Sequence, residues 1–431
     1  MSAQILVLLM SVVGLAYDWV CWRLSDRQQR EPTPDIVADV YDADRYAEYL
    51  QICAEECRAY LVYKAFDFAI LACFLYSPFF AWAERAAAGN VYLVVLITSL
   101  VMCVIADVEV FVYDHYDTFH IEGAHGLNHM DGREFVRDFL LDELPSDLLV
   151  LLLYEAVAFV GEHMAAWTDG YTLSASGASG LAARLVLGAA LIAFAAALVR
   201  YRVLRRQYTL TPLEGPLRDK IMGFTKDSRK RLAKIYVYDE SKKSPELNAM
   251  LVSLPWRKEL WIADNALDSW DERTVLAVVS HEIGHLKHRF DLVDAAGYLQ
   301  TAATVAVIAA LIAHPSVVFE IEAWVRASYG LEGCNYVLLT STVLAALRPV
   351  TKLLRALGNA AKRHREYEAD REAVRNGYAA ELSEFLKEAA RKELVNVDPH
   401  PFVEAMEDDH PGLCRRLTAI SEAEDRKISG E

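Results

Sequence analysis

The chain has 431 residues, of which 54% are hydrophobic and 24% charged, and its net charge is −16. It is too apolar for an ordinary soluble domain and too charged to lie wholly in lipid, so it reads as a membrane protein with sizeable water-facing parts. The acidic balance, with no basic patch and interleaved aromatics, argues against nucleic acid as a partner.

Seven stretches are long and apolar enough to span a bilayer, each near the ~20 residues that a ~30 Å hydrocarbon core requires. They are roughly 3–22, 62–83, 91–113, 147–166, 181–203, 294–314 and 335–355. The first lacks the basic start and small-residue cleavage site of a secretory signal, so it reads as a membrane helix. Asp67, Asp107, Glu109 and Glu155 fall within the second to fourth. Such charges either face a bundle interior or watery cavity, or sit at span ends and snorkel. Basic residues gather after the first span (Arg23, Arg27, Arg30), the fifth (Arg200, Arg202, Arg205, Arg206) and the seventh (Lys352, Arg355, Lys362, Arg363, Arg365). The positive-inside rule then puts the N-terminus outside and the C-terminus in the cytoplasm, a parity that seven crossings satisfy.

The seven cysteines are odd in number and partly in apolar segments, which argues against a disulfide framework. Cys53 and Cys57 are spaced i, i+4, but no second pair completes a metal site. Segment 24–61 is polar, with helical periodicity from Ala43. A loop is expected at 114–146. Its histidines, His115, His120, His125 and His129, are irregularly spaced, which leaves a second metal site there as a minor alternative.

Residues 207–293 form the first large water-facing block. A helix is expected at 213–223, followed by strands at 234–238, 248–252 and 259–263, the last two joined by a turn at 254–257. An exposed edge of this small β-ribbon can hold an extended peptide by backbone hydrogen bonds, or the ribbon only supports the helix after it.

That helix carries Val279-Ser280-His281-Glu282-Ile283-Gly284-His285, an H-E-x-x-H pattern. With the helix opened by Asp271, Glu272 and Arg273, His281 and His285 share one face and can share a metal ion. Glu282 leans over the same place, where it can take a proton from water. Two surface histidines around a solvated glutamate would match the same pattern. The apolar flank, Val275, Leu276, Val278 and Val279, makes that costly. A catalytic zinc also requires a third protein ligand. After the seventh span comes Arg363-His364-Arg365-Glu366-Tyr367-Glu368-Ala369-Asp370, whose periodicity puts Glu366 and Asp370 on one face. Glu366 can be the third ligand, and Asp370 can orient a ligating histidine. By spacing alone any acid here would serve, and a solvated helix face is the plain alternative. Glu368 lies off this face and is expected in solvent.

H-E-x-G-H followed by R-x-x-E-Y-x-A-D resembles the M48 membrane zinc metalloproteases and, within them, the Ste24-type CAAX prenyl proteases. Thr118-Phe119-x-Ile121-Glu122 with His125-Gly126-Leu127-Asn128, Leu210-Thr211-Pro212-Leu213, Asn248-Ala249, and His410-Pro411-Gly412-Leu413-Cys414-Arg415-Arg416-Leu417 match as well. The likeness covers nearly the whole chain. It implies an α-helical integral membrane protein with seven transmembrane helices around a large internal chamber and a cytoplasmic zincin-like α+β metalloprotease domain. The chain divides accordingly into 1–206 (five spans and the cytoplasmic 114–146 loop), 207–293 (ribbon and H-E-x-x-H helix), 294–355 (two spans) and 356–431 (a cytoplasmic helical part with the third ligand).

The resemblance further implies one zinc ion (Zn2+) per chain on His281, His285 and Glu366, with Glu282 as the catalytic general base. His410 would be a second catalytic group stabilising the tetrahedral oxyanion, although a helix cap before Pro411 is its alternative. Asp370 would stand behind the ligands, and Asn248 and Arg416 would bind substrate. The implied partners are a peptide or protein substrate, prenylated or not, and membrane lipid. Lys362 stands where the family often has serine, and Leu286 where the eukaryotic enzymes have tryptophan; the linker between ribbon and zinc helix is also short. These departures point to a prokaryotic relative and leave the substrate open. It is either a prenylated peptide cut near its C-terminus or an unmodified membrane protein cut in quality control. A non-catalytic scaffold or transporter of the same fold is a further reading. The intact His281, Glu282, His285 and Glu366 argue against it, and no span shows paired broken helices.

Overall fold

Apolar segments with no water to satisfy their backbone must close their hydrogen bonds internally, and helices do so. In a computed structural model describing residues 1–169, 194–195, 197–224, 232–254, 257–287 and 315–429, the first part of the chain is built this way. Helices α1 (Ala3–Gln28), α2 (Ala43–Leu75), α3 (Phe79–Ala86), α4 (Val91–Tyr116) and α5 (Gly132–Asp169) follow one another. Ser2, Asp42 and Asn90 cap α1, α2 and α4, each side chain accepting from a backbone N–H three residues on. The chain turns between α2 and α3 by 51°, at Ser77-Pro78, because proline disfavours helix in the residue before it.

Among the described residues, α1, α4, α5 and the later Tyr336–Arg375 helix are long and apolar enough to cross a membrane, and α2 with α3 makes a fifth if the bent pair is one span. Five of the seven expected spans fall on these helices. The other two, 181–203 and 294–314, lie largely outside the described residues.

The loop expected at 114–146 is much shorter. Helix α4 continues as a π-helical turn, Asp117–Glu122, and α5 already begins at Gly132. Aromatic packing extends both helices past the span ends. Phe135 lies 5.5 Å from Phe111, 5.7 Å from His115 and 5.4 Å from Phe119, measured between ring centroids. Asp131 Oδ1 then caps α5, accepting from the N–H groups of Arg133 and Glu134 at 2.8 Å. The four histidines do not gather on one point, although the His115 and His120 rings lie 6.5 Å apart. His115 joins the aromatic cluster, His120 stacks on Tyr116, His125 sits between Glu48 and Glu55, and His129 contacts the Ser241 carbonyl.

The expected three-stranded ribbon is a four-stranded mixed sheet of β1 (Leu210–Pro212), β2 (Leu232–Tyr238), β3 (Ala249–Leu254) and β4 (Arg257–Ala263), in the order β1-β2-β4-β3. Pairs β1–β2 and β3–β4 are antiparallel, and β2–β4 is parallel. Three residues that include a proline are too short for an alternation signal, so β1 has no signature of its own; its Pro212 is tolerated because β1 is an edge. Helix α6 (Pro216–Phe224) follows β1, and α7 (Asp264–Ser269) follows β4. Leu260, Trp261, Ile262 and Ala263 of β4 are fully buried. They form one core with Val275, Val279 and Ile283 of α8 (Glu272–Lys287).

From Pro315 onward the described chain holds α9 (Pro315–Tyr329), α10 (Tyr336–Arg375), α11 (Ala379–Glu393), α12 (Pro401–Met406) and α13 (Leu413–Ser429). The expected boundary at 355/356 falls inside α10, a single helix of 40 residues. At 1.5 Å per residue it carries Glu366 about 16 Å beyond the end of the 335–355 span.

At the end of α11, Glu393 is half-buried beside Glu246. Burial first, and then this neighbouring carboxylate, push its pKa up to about 8, against a hydrogen bond from the Leu247 backbone. A carboxyl whose folded pKa exceeds its unfolded value stabilises the fold below the unfolded pKa, and that contribution is lost as pH rises through about 8. Glu393→Gln is therefore expected to raise Tm by roughly 2 °C at pH 8.5 and to leave it unchanged at pH 4, as read by thermal scans in detergent.

Candidate metal centre

Helix α8 starts at Asp271, whose Oδ1 accepts from the Thr274 N–H at 2.8 Å. One face, Val275, Val279 and Ile283, packs on the sheet. The other carries small residues and meets α10. A Cβ on Gly284 would lie 2.7 Å from Ala369 Cα and 3.2 Å from Ala369 Cβ. Ala277, Ala369 and Ala373 are fully buried at or near the same crossing. Only glycine permits so close an approach of backbone, and the approach is what brings the two helices' polar residues together.

His281 Nε2 lies 3.4 Å from Glu366 Oε2, and His285 Nε2 lies 3.4 Å from Glu366 Oε1. One ligand-capable atom from each of the three lies within 4.8 Å of the others. Behind them, His281 Nδ1 is 2.9 Å from Asp370 Oδ1, in line with the i, i+4 placement of Asp370 after Glu366. Asp370 is itself gripped by Arg416 of α13, whose Nη2 donates to Oδ1 at 2.7 Å and Nε to Oδ2 at 3.0 Å. Two imidazole nitrogens and one carboxylate, with the second nitrogen of His281 held by another carboxylate, are a donor set that suits a zinc-type ion with an open position.

The electrostatics follow from burial. For Glu282, burial and then the nearby Glu366 carboxylate raise the pKa to about 7, against His281 and Arg416. For His285, burial and the neighbouring His281 lower it to about 4. For His281, burial pulls down, but the Asp370 and Glu366 carboxylates outweigh it and hold the pKa at about 9. A metal bound there would take the place of a proton on Nε2.

His281, Glu282, His285 and Glu366 line a cleft of about 470 Å³ together with Asn248, just before β3, Met250 and Leu251 of the β3 edge, and His410. Asn248 Nδ2 lies 3.3 Å from Glu246 Oε1, and its carbonyl accepts from the Ala263 N–H at 2.9 Å. His410 Nε2 lies 3.6 Å from Glu366 Oε1. Thus His281, Glu282, His285, Glu366, Asn248 and His410 meet in one cleft. Asp370 and Arg416 lie behind it. Arg416, expected at the substrate, is 12% exposed and turned onto Asp370. Glu368, expected in solvent, pairs with Arg365 and His364. Sequence reasoning missed the tie from Asn376 Nδ2 to Ser280 Oγ (2.7 Å), which joins α10 to α8 beside the motif and carries no sequence signal of its own.

Membrane-length helices and this site together describe a membrane metalloprotease. The profile of Peptidase family M48 matches residues 214–424, and that of the CAAX prenyl protease N-terminal domain, five membrane helices, matches residues 24–173. The chain belongs to peptidase family M48 and carries the N-terminal domain of the CAAX prenyl proteases. It is 25% identical over 438 residues to a probable CAAX prenyl protease 1 of Schizosaccharomyces pombe, covering 95% of this chain and 87% of that one. It is 26% identical over 322 residues to a CAAX prenyl protease 1 homolog of Oryza sativa subsp. japonica, covering 72% and 69%. The crystal structure of S. mikatae Ste24p superposes with a TM-score of 0.68 at 18% sequence identity, covering 97% of this chain and 99% of that one.

Proposed function

We propose that the chain is a zinc metalloendopeptidase of the CAAX prenyl protease kind, with one zinc per chain held by His281, His285 and Glu366. The observation that carries this reading is the convergence of three ligand-capable atoms from two helices within 4.8 Å. When bound, the metal polarises the scissile carbonyl and acidifies water toward a pKa of ~7.

The chain's own groups do the rest. Glu282 takes the proton from the attacking water and passes it to the leaving amine, and a pKa raised toward 7 by burial suits both steps. His410, carrying a proton on each ring nitrogen, donates from Nε2 to the oxyanion that develops on the substrate. Asn248 and the free edge of β3 hold the substrate backbone as an added strand. Asp370 keeps His281 in the tautomer that turns Nε2 to the site, and Arg416 holds Asp370 in place by a bidentate contact. Asp370→Asn is expected to weaken metal affinity by roughly 10–100-fold, measured by competition with a chromophoric chelator.

Seven spans around a chamber, an outside N-terminus and a site on the cytoplasmic face complete the proposal. The basic clusters after the first, fifth and seventh expected spans support that orientation. The names of the relatives support a prenylated peptide, cut near its C-terminus, as substrate. The test is cleavage of a farnesylated CAAX-type peptide and its unprenylated twin by purified wild type and Glu282→Gln. Cleavage of the prenylated peptide alone, by wild type alone, is expected. Equal cleavage of both peptides would overturn the prenyl requirement and leave the metal chemistry standing.

A further inference from the structure

His410 sits on the short connection between α12 and α13, outside any regular element, with 63% of its side chain exposed. A ring so placed has many orientations to lose before it can aim one nitrogen at a cleft. Here Nδ1 lies 2.7 Å from Asp409 Oδ1, and Nε2 is turned to the cleft, 3.6 Å from Glu366 Oε1. The other oxygen of Asp409 pairs with Lys362 Nζ at 3.2 Å. Lys362 stands on α10 one turn before Glu366, so one helix reaches both the ligand set and the carboxylate that holds the His410 ring. The backbone of the connection is tied to the same helix. Asn359 Nδ2 donates to the Glu407 carbonyl at 2.9 Å, and Arg363 donates to the carbonyls of Glu404, at 2.9 Å, and Asp408.

We infer that Asp409 is a positioning residue for peptide hydrolysis: it fixes the His410 ring through Nδ1 so that Nε2 faces the substrate, and Lys362 fixes Asp409 from α10. The inference rests on the role of His410 proposed above. Asp409 and Lys362 are exposed enough that their pair adds little stability, so their loss is read in turnover and not in folding.

The test is a double-mutant cycle in the full-length purified protein, using whichever peptide wild type cleaves. Asp409→Ala is expected to lower kcat by roughly 10–100-fold, with KM and metal content per chain within about twofold of wild type. Asp409→Asn, which keeps an acceptor for the Nδ1–H, is expected to recover most of that loss. In a His410→Ala background, Asp409→Ala is expected to change nothing further. The inference is overturned if Asp409→Ala keeps the wild-type kcat, if its effect is equally large in both backgrounds, or if it acts by losing metal. A His410→Ala protein with wild-type kcat and full metal would instead remove the role of His410 itself, and the inference with it.

Discussion

Glu282→Gln is expected to lose at least about three orders of magnitude in kcat while keeping its metal. The substitution changes neither the shape nor the reach of the side chain; it removes only the ability to accept a proton. The three ligand-capable groups are His281, His285 and Glu366, so metal content per chain should stay at the wild-type level. Stability should hold or rise slightly, because burial already disfavours the charged form of Glu282. The paired measurement is turnover by single-substrate kinetics and metal by elemental analysis on the same preparation. Turnover within tenfold of wild type would move the base role elsewhere, with His410 as the next group in the cleft.

The second large effect is at Gly284, where two rules predict opposite signs. Helix propensity says that Gly284→Ala should stabilise α8 by about 1 kcal/mol. Packing says the reverse, because the new Cβ would lie 2.7 Å from Ala369 Cα and 3.2 Å from Glu372 Cβ. The first neighbour is backbone and cannot turn aside, so the helices must part, at a cost of roughly 1–3 kcal/mol. Parting them moves Glu366 away from His281 and His285, which now lie 3.4 Å from its two oxygens. We expect a lower Tm together with metal affinity weakened by more than about tenfold. Because Asp370 sits one turn further along α10, the same displacement also loosens its hold on His281. A Gly284→Ala protein with raised Tm and full metal content would show that propensity wins and that the crossing tolerates a methyl group.

Much of the site was legible in the sequence because its geometry is local. The i, i+4 spacing of His281 and His285, and of Glu366 and Asp370, places each pair on one face of a helix wherever that helix goes. Strands β2, β3 and β4 were legible within a few residues from their alternation. Strand β1 was not, since three residues carry no period. The extent of α4 and α5 was missed because what continues them is a cluster of aromatic rings from both helices, a contact between segments. The continuity of α10 was missed for a related reason. Its composition changes from apolar to charged along its length, which reads as a boundary, yet helical hydrogen bonds run through it. Arg416 was given a substrate role by the resemblance alone, and that its side chain meets a carboxylate 46 residues away is a contact no local pattern carries.

By itself, then, the sequence determined the membrane-length helices, the residue types of the candidate metal site and the pairing of its polar residues on each helix face, since these follow from hydrophobic length and helical period. Only the tertiary structure decided which helix faces meet. The missing side chain of Gly284 lets α8 and α10 touch, and that contact closes three donors to within 4.8 Å, while the ties from α10 to the 407–409 connection and the Asp409 carboxylate set the direction of His410. Those are contacts between segments far apart in the chain, and their geometry exists only once the backbone has been packed.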